Sequence, residues 1–86
     1  MTLLEKAARK LEMPADLAGA VAKVEIIGCN EVYIENHKGL LLYENNEVRV
    51  NGGQAVIVLR GEGFIIKAMT ALELRIVGLL FEVRFE

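Results

Sequence analysis

A chain of 86 residues is one domain, and a domain this short buries only about 60% of the surface its unfolded chain exposes, so its core is thin. Ten basic and twelve acidic residues are scattered along it for a net charge of −2, which excludes the basic footprint that a nucleic-acid backbone requires. The apolar fraction of 53% is high for so small a domain and leaves apolar surface for partners.

The first element expected is a helix over "TLLEKAARKLEM". Thr2 and Glu5 form a capping-box pattern, Leu4, Ala7, Ala8 and Leu11 share one face, and Pro14 ends the run. Lys6, Arg9 and Lys10 fall mostly on the other side. "ADLAGAVA", with Asp16 as its cap, reads as one further helical turn. No stretch approaches the roughly 18 apolar residues of a membrane span, and "MTLLEKAARK" lacks the apolar region of a signal peptide. An intracellular protein without direct membrane insertion is expected.

From Lys23 onward the period changes from 3.6 to 2, which divides the chain into a helical segment at 1–22 and a β-domain at 23–86. The runs "VEII", "EVYIE", "GLLLY", "EVRV", "AVIVLR", "FIIKA", "LELRIV" and "LLFEVRF" are punctuated by "GCN", "NHK", "ENN", "NGG" and "GEG". Asn and Gly accept the positive φ of tight hairpin turns, so consecutive runs should pair as antiparallel neighbours. The expected fold is a small antiparallel β-sandwich of seven to eight short strands, with the N-terminal helix at one end or edge. The alternative is a short β-solenoid, because Val24/Ile26, Val48/Val50 and Leu72/Leu74 recur with a 24-residue spacing.

Alternation assigns faces. Phe81, Val83 and Phe85 should point into the core, with Glu82 and Arg84 outward. "GLLLY" carries bulk on both faces, as a central strand covered on both sides would. Leu41, Tyr43, Ile57, Leu59 and Ile65 lie on the parity opposite to Leu40, Leu42, Val56, Val58 and Phe64. A two-layer sandwich covers only one of these sides, so the first five are the candidate interaction residues and a homodimer is expected.

The chain has no Ser or Trp and only one Asp, one His and one Cys, which excludes a Ser-His-Asp arrangement. Cys29 and His37 sit in turns at opposite ends of one short strand, too far apart for a nucleophile and its base. Two potential Cys/His ligands are too few for a structural zinc site. Neither a cofactor nor a metal is expected, and no catalytic residue is assigned. Among the glutamates, Glu35 beside His37 is the first to inspect. A competing binding-module reading places Asn36, His37, Tyr43, Asn45 and Asn46 around a shallow saccharide or other small-ligand site.

"MPADL", then "VEIIGCNEVYIENHKGLLLYENNEVRVN", then "VIVLRGEGFIIKAMTALELRIVGLLFEVRFE" resembles the YabP/YqfC family of bacterial sporulation proteins, closest to its YqfC branch. The signature turn is "ENHKG", comprising Glu35, Asn36, His37, Lys38 and Gly39. The resemblance implies a small non-enzymatic protein made in the mother cell during endospore formation; taken with the absent chemistry and the surplus apolar faces, it leads to the expectation of an adaptor or structural subunit in spore-envelope assembly, at the cortex and coat stage. On that expectation the partners are proteins, a sporulation membrane protein among them, and the location is cytoplasmic and peripheral to the outer forespore membrane.

Overall fold

A computed structural model describes residues 21–86; the expected helix and the Asp16 turn lie outside the described residues. Within that span the chain forms six strands: β1 (Lys23–Ile27), β2 (Glu31–Glu35), β3 (Leu40–Tyr43), β4 (Glu47–Asn51), β5 (Val56–Met69) and β6 (Glu73–Phe85). They make one sheet in the order β1-β2-β6-β5-β4-β3, with every ladder antiparallel. This corrects the solenoid alternative, which needs parallel ladders between successive repeats.

Strand number differs from the expectation because two glycine signals do not reverse the chain. "GEG" lies inside β5, merging "AVIVLR" with "FIIKA", and Gly78 lies inside β6, merging "LELRIV" with "LLFEVRF". At these points the β5–β6 register shifts and the long hairpin bends. Gly61 is required there, since a Cβ would sit 1.9 Å from the Leu79 carbonyl oxygen. Gly63 takes the left-handed backbone at φ 67°.

The first part of β6 pairs with β2, and the first part of β5 pairs with β4. Each outer hairpin thus widens one half of the central hairpin. β2 and β4 are separated by two strands in the sheet. Even so, Val32 and Ile34 of β2 share one buried cluster with Val48 and Val50 of β4, together with Ile57, Leu59, Phe64, Leu74 and Ile76. The sheet therefore curls until the inner faces of its two halves meet, and each fully buried aliphatic contributes roughly 1.5–3 kcal/mol.

The halves are related by an approximate internal two-fold. Val32 and Ile34 oppose Ile76 and Leu74 in one half, as Val48 and Val50 oppose Leu59 and Ile57 in the other. The turn tips correspond too: Gly78 N–H donates to the Asn30 carbonyl at 3.0 Å, and Gly61 N–H to the Asn46 carbonyl at 3.1 Å. Beside them, Leu80 N–H donates to the Cys29 carbonyl at 2.7 Å and Phe64 N–H to the Asn45 carbonyl at 3.0 Å. The "GCN" and "ENN" turns thus serve as tips that staple each outer hairpin to the central bend.

Bulges correct three assignments of side-chain direction. In β6, Leu80 packs against the core and Val83 opposes core Leu59, so the inward parity changes from even to odd across Phe81. Glu82 and Arg84 do face outward, but Phe81 is 63% exposed instead of core. Phe85 opposes buried Ile57 on the inner side yet is 61% exposed. In β3 the register shifts between Leu40 and Leu42, so Leu40 and Tyr43 oppose core valines while Leu42 opposes Arg49. "LLLY" is also an edge strand, not a central one.

Candidate functional site

The signature turn after β2 is built around a buried histidine. Asn36 takes φ 61° and Gly39 φ 128°, a tight path that sends the His37 ring inward until 3% of the residue is exposed. Gly39 N–H donates to His37 Nδ1 at 3.0 Å, and His37 Nε2 lies 2.9 Å from the Thr70 carbonyl oxygen. With Nδ1 accepting, the proton sits on Nε2 and is donated to Thr70, so the ring is the neutral Nε2–H tautomer.

Backbone bonds complete the clamp. Asn36 N–H and His37 N–H both reach the Leu72 carbonyl, at 2.6 and 3.3 Å, and Lys38 N–H donates to the Asn51 carbonyl at 2.6 Å. The turn thereby joins the end of β4 to the β5–β6 turn. Both ring nitrogens are used in this joint, leaving neither for a metal or a transferred proton.

Three of the other polar candidates are similarly engaged. Asn36 Nδ2 donates to the Val21 carbonyl at 3.3 Å, Tyr43 Oη to the Phe64 carbonyl at 3.1 Å, and Asn45 Oδ1 accepts from Gly63 N–H at 3.3 Å. Asn36 and His37 lie before β3, and Asn45 and Asn46 after it, so they do not converge. Cys29 is exposed at the β1–β2 turn, at the far end of β2 from His37. Glu35 is half-buried at the end of β2. Among the described residues no three His, Cys, Asp or Glu side chains are grouped to hold a metal ion.

What distinguishes the surface is the contrast between its two outer faces. Outside β4 and the first half of β5, five charges alternate in a chain, Arg60–Glu47–Arg49–Glu86–Arg84, with N···O separations of 3.2, 2.5, 2.9 and 2.8 Å. Hydrogen bonding from Arg49 holds the Glu47 carboxyl below its usual value, and the same bond, with the one Arg49 donates to Glu86, raises the Arg49 guanidinium. Val58 lies between Arg49 and Arg84 in the ladder and is 0% exposed, because the aliphatic stems of long side chains cover such a residue.

The equivalent face outside β2 and the first half of β6 is apolar toward the bend. Ile27, Glu31, Val77 and Ile65 form one row across β1, β2, β6 and β5. Leu79 and Phe81 extend it along β6, and Ile27, Ile65, Leu79 and Phe81 are all exposed. Phe81 joins this stripe because the bulge at its position keeps it outward with Val77 and Leu79. Glu31 is tied to Arg75 at 2.7 Å. Farther from the bend, the Tyr33 hydroxyl donates to Glu73, and this bond, aided by burial and nearby carboxylates, pushes the phenol up to about 12.

Of the expected interaction residues, Leu41, Tyr43 and Ile65 are exposed, but Ile57 and Leu59 are 1% and 0% exposed and belong to the core. The correction follows from the fold: the curled sheet turns the odd-numbered side of the first half of β5 inward. Only Ile65, beyond the Gly61–Gly63 bend, remains outward on that parity. Sequence reasoning missed Ile27, Leu79 and Phe81 as surface residues. The only available signal was the density of apolar residues around Gly78 in "IVGLLF".

No family model and no solved structure matches the chain. A protein from Bacillus subtilis (strain 168), named "Uncharacterized protein YqfC", is 38% identical over 77 residues, covering 90% of this chain and 83% of that protein. The chain belongs to the YqfC family. In this YqfC-family chain the "ENHKG" turn is a structural joint, and the exposed apolar stripe on the β6 side is the feature that packing within the described fold does not use. No helix among the described residues is long and apolar enough to cross a membrane.

Proposed function

We propose that this YqfC-family protein acts by association rather than catalysis, as an adaptor or structural subunit in spore-envelope assembly in the mother cell. The process assignment rests on the sporulation-family resemblance of the sequence. The mode of action rests on one observation: Ile65, Leu79 and Phe81 present large apolar side chains to solvent on a face whose pseudo-equivalent is sealed by ions. Such contiguous apolar surface marks an interaction site. Its partners on this reading are proteins, including a sporulation membrane protein and a second copy of the chain, and its location is cytoplasmic and peripheral to the outer forespore membrane. The saccharide-module reading has weaker support, since the Asn36, His37, Tyr43 and Asn45 side chains already bond within the fold.

The test is deletion of the gene in a sporulating host, complemented by the wild-type chain or by the Leu79→Glu/Phe81→Glu variant. The deletion should reduce heat-resistant spores, the wild-type copy should restore them, and the variant should fail while retaining a normal melting temperature. Normal spores in the deletion strain would overturn the process, and full rescue by the folded variant would overturn the surface. Sedimentation equilibrium tests self-association: a mass of 9.5 kDa at every micromolar concentration would remove the second copy from the partner set.

A further inference from the structure

The sheet ends in β1 and β3, each of which has a neighbour on one side only among the described residues. An edge strand presents a row of backbone N–H and C=O groups with which a matching extended chain can pair. The two edges differ in how well they offer it. β3 is four residues long and its register shifts between Leu40 and Leu42, and a bulge of this kind disrupts an edge for pairing. β1 meets β2 at five successive positions without a shift, so its outer edge is regular. Its side chains are open too: Ile26 opposes core Val32, and so lies on the inner face, yet it is 47% exposed because the sheet stops there. Lys23 and Glu25 are exposed on the outer face and form no ion pair among the described residues. Across the β1–β2 ladder Lys23 stands opposite Glu35, whereas Glu25 stands opposite Tyr33 and has no cation facing it.

The sequence along this edge is self-complementary. "VAKVEII", residues 21–27, reads as two apolar residues, a cation, a valine, an anion and two apolar residues, the same pattern in either direction about Val24. Two copies related by a two-fold axis at Val24 run antiparallel, as a self-complementary contact requires. Val24 then opposes Val24 of the second copy, Lys23 opposes Glu25, Ala22 opposes Ile26 and Val21 opposes Ile27, each pair occurring twice. The charges stay on the outer face and Val24 and Ile26 on the inner one, because opposed residues share a face. An axis at Lys23 or at Glu25 would set like charges against each other, and an axis at Ile26 would leave both charges without a partner. Opposite charges directly across a ladder stabilise it and like charges destabilise it, so the pattern favours one register. A lysine on an edge ordinarily deters pairing; here it admits a strand that brings a carboxylate to the matching position.

We infer that β1 is a dimerisation edge: the β1 strands of two copies of this chain pair antiparallel about Val24, with Lys23 and Glu25 forming reciprocal ion pairs, and join two six-stranded sheets into one. This rests on the second copy named among the partners above and gives it a place on the molecule. The contact leaves Leu79 and Phe81, two strands away on β6, free for a different protein.

The experiment is sedimentation equilibrium of the full chain and its charge variants. The wild type should dimerise. Lys23→Glu and Glu25→Lys each set like charges face to face at both ends of the contact and should weaken the dimer at least about tenfold. An equimolar mixture of the two variants should regain wild-type affinity to within about threefold, because each supplies the charge that the other needs. Lys23→Glu/Glu25→Lys, which exchanges the charges within one chain, should dimerise with itself equally well. Recovery between two chains reads the contact itself and not an effect on folding. A dimer indifferent to the single substitutions, or a loss that neither the mixture nor the exchanged variant recovers, would overturn the inference and leave the proposed function standing. A dimer abolished only by Leu79→Glu/Phe81→Glu would move self-association to the outer stripe and overturn it too. A wild-type mass of 9.5 kDa at every concentration would remove both this edge contact and the second copy, with the outer stripe still judged by spore complementation.

Discussion

Outside β4 the sheet is sealed by Arg60, Glu47, Arg49, Glu86 and Arg84, whereas outside β2 its pseudo-equivalent carries Ile27, Val77, Ile65 and Leu79 with little ionic cover. The inner faces of the same two halves are alike, each presenting a pair of β-branched residues opposite a Leu and an Ile. Packing constrains the inner faces equally, since both contribute to one core. It places no such demand on the outer faces, so these are free to differ: one is covered by ion pairs and the other is left apolar.

The largest effect should come where the halves meet. Gly61→Ala drives a Cβ to 1.9 Å from the Leu79 carbonyl, and because the obstacle is backbone, a loss of about 3 kcal/mol or more is expected in urea unfolding. A loss below about 1 kcal/mol would show that the bend relaxes and that the halves are not rigidly joined.

The contrast between the faces is sharpened by a matched pair. Val58, though outward, is fully buried beneath the ionic chain, and Val58→Ala should cost about 2 kcal/mol. Ile65→Ala, on the open face, should stay within about 0.5 kcal/mol. Equal costs would break the comparison. His37→Ala should fall between the bend and the open face, at about 1–3 kcal/mol, because it strands the Thr70 carbonyl and the Gly39 N–H; His37→Gln, which keeps a donor and an acceptor, should recover part of that loss.

Smaller effects are expected from pH. Tyr33 is held protonated to about 12 when folded, against 10.0 for the free phenol. The folded state therefore binds more protons between these values, and stability should decline as pH rises through them. Absorbance titration should show a late tyrosine ionisation that Tyr33→Phe removes. Glu47 titrates below 4.5 when folded, so its stabilisation is complete above that pH and is lost as pH falls through the folded value. Glu47→Gln should flatten the acid limb, and added salt should shrink the difference.

Much of the fold is legible locally. The onset of period-two alternation at Lys23, the Asn and Gly turn tips at "GCN" and "ENN", and the inward set Val32, Ile34, Val48, Val50, Leu74 and Ile76 follow from residue type and spacing, because a pleated strand exposes alternate side chains to opposite faces. The tightness of the "ENHKG" turn is also visible in its Asn and Gly. Its purpose is not: His37 matters through Thr70, a residue distant in sequence that only the folded chain brings beside it.

Tertiary structure alone decided whether a glycine marks a turn or a bend, and which way the residues after it face. "GEG" reads locally like a hairpin, yet β5 continues through it because β6 pairs along its whole length. Each bulge resets the alternation, so the inward parity before Phe81 cannot be carried past it to Val83. A bulge is set by the register of the partner strand, through hydrogen bonds between residues far apart in sequence. For that reason the sequence by itself determined which residues form strands, and only the assembled sheet decided that Ile57 and Leu59 are core while Leu79 and Phe81 meet the solvent.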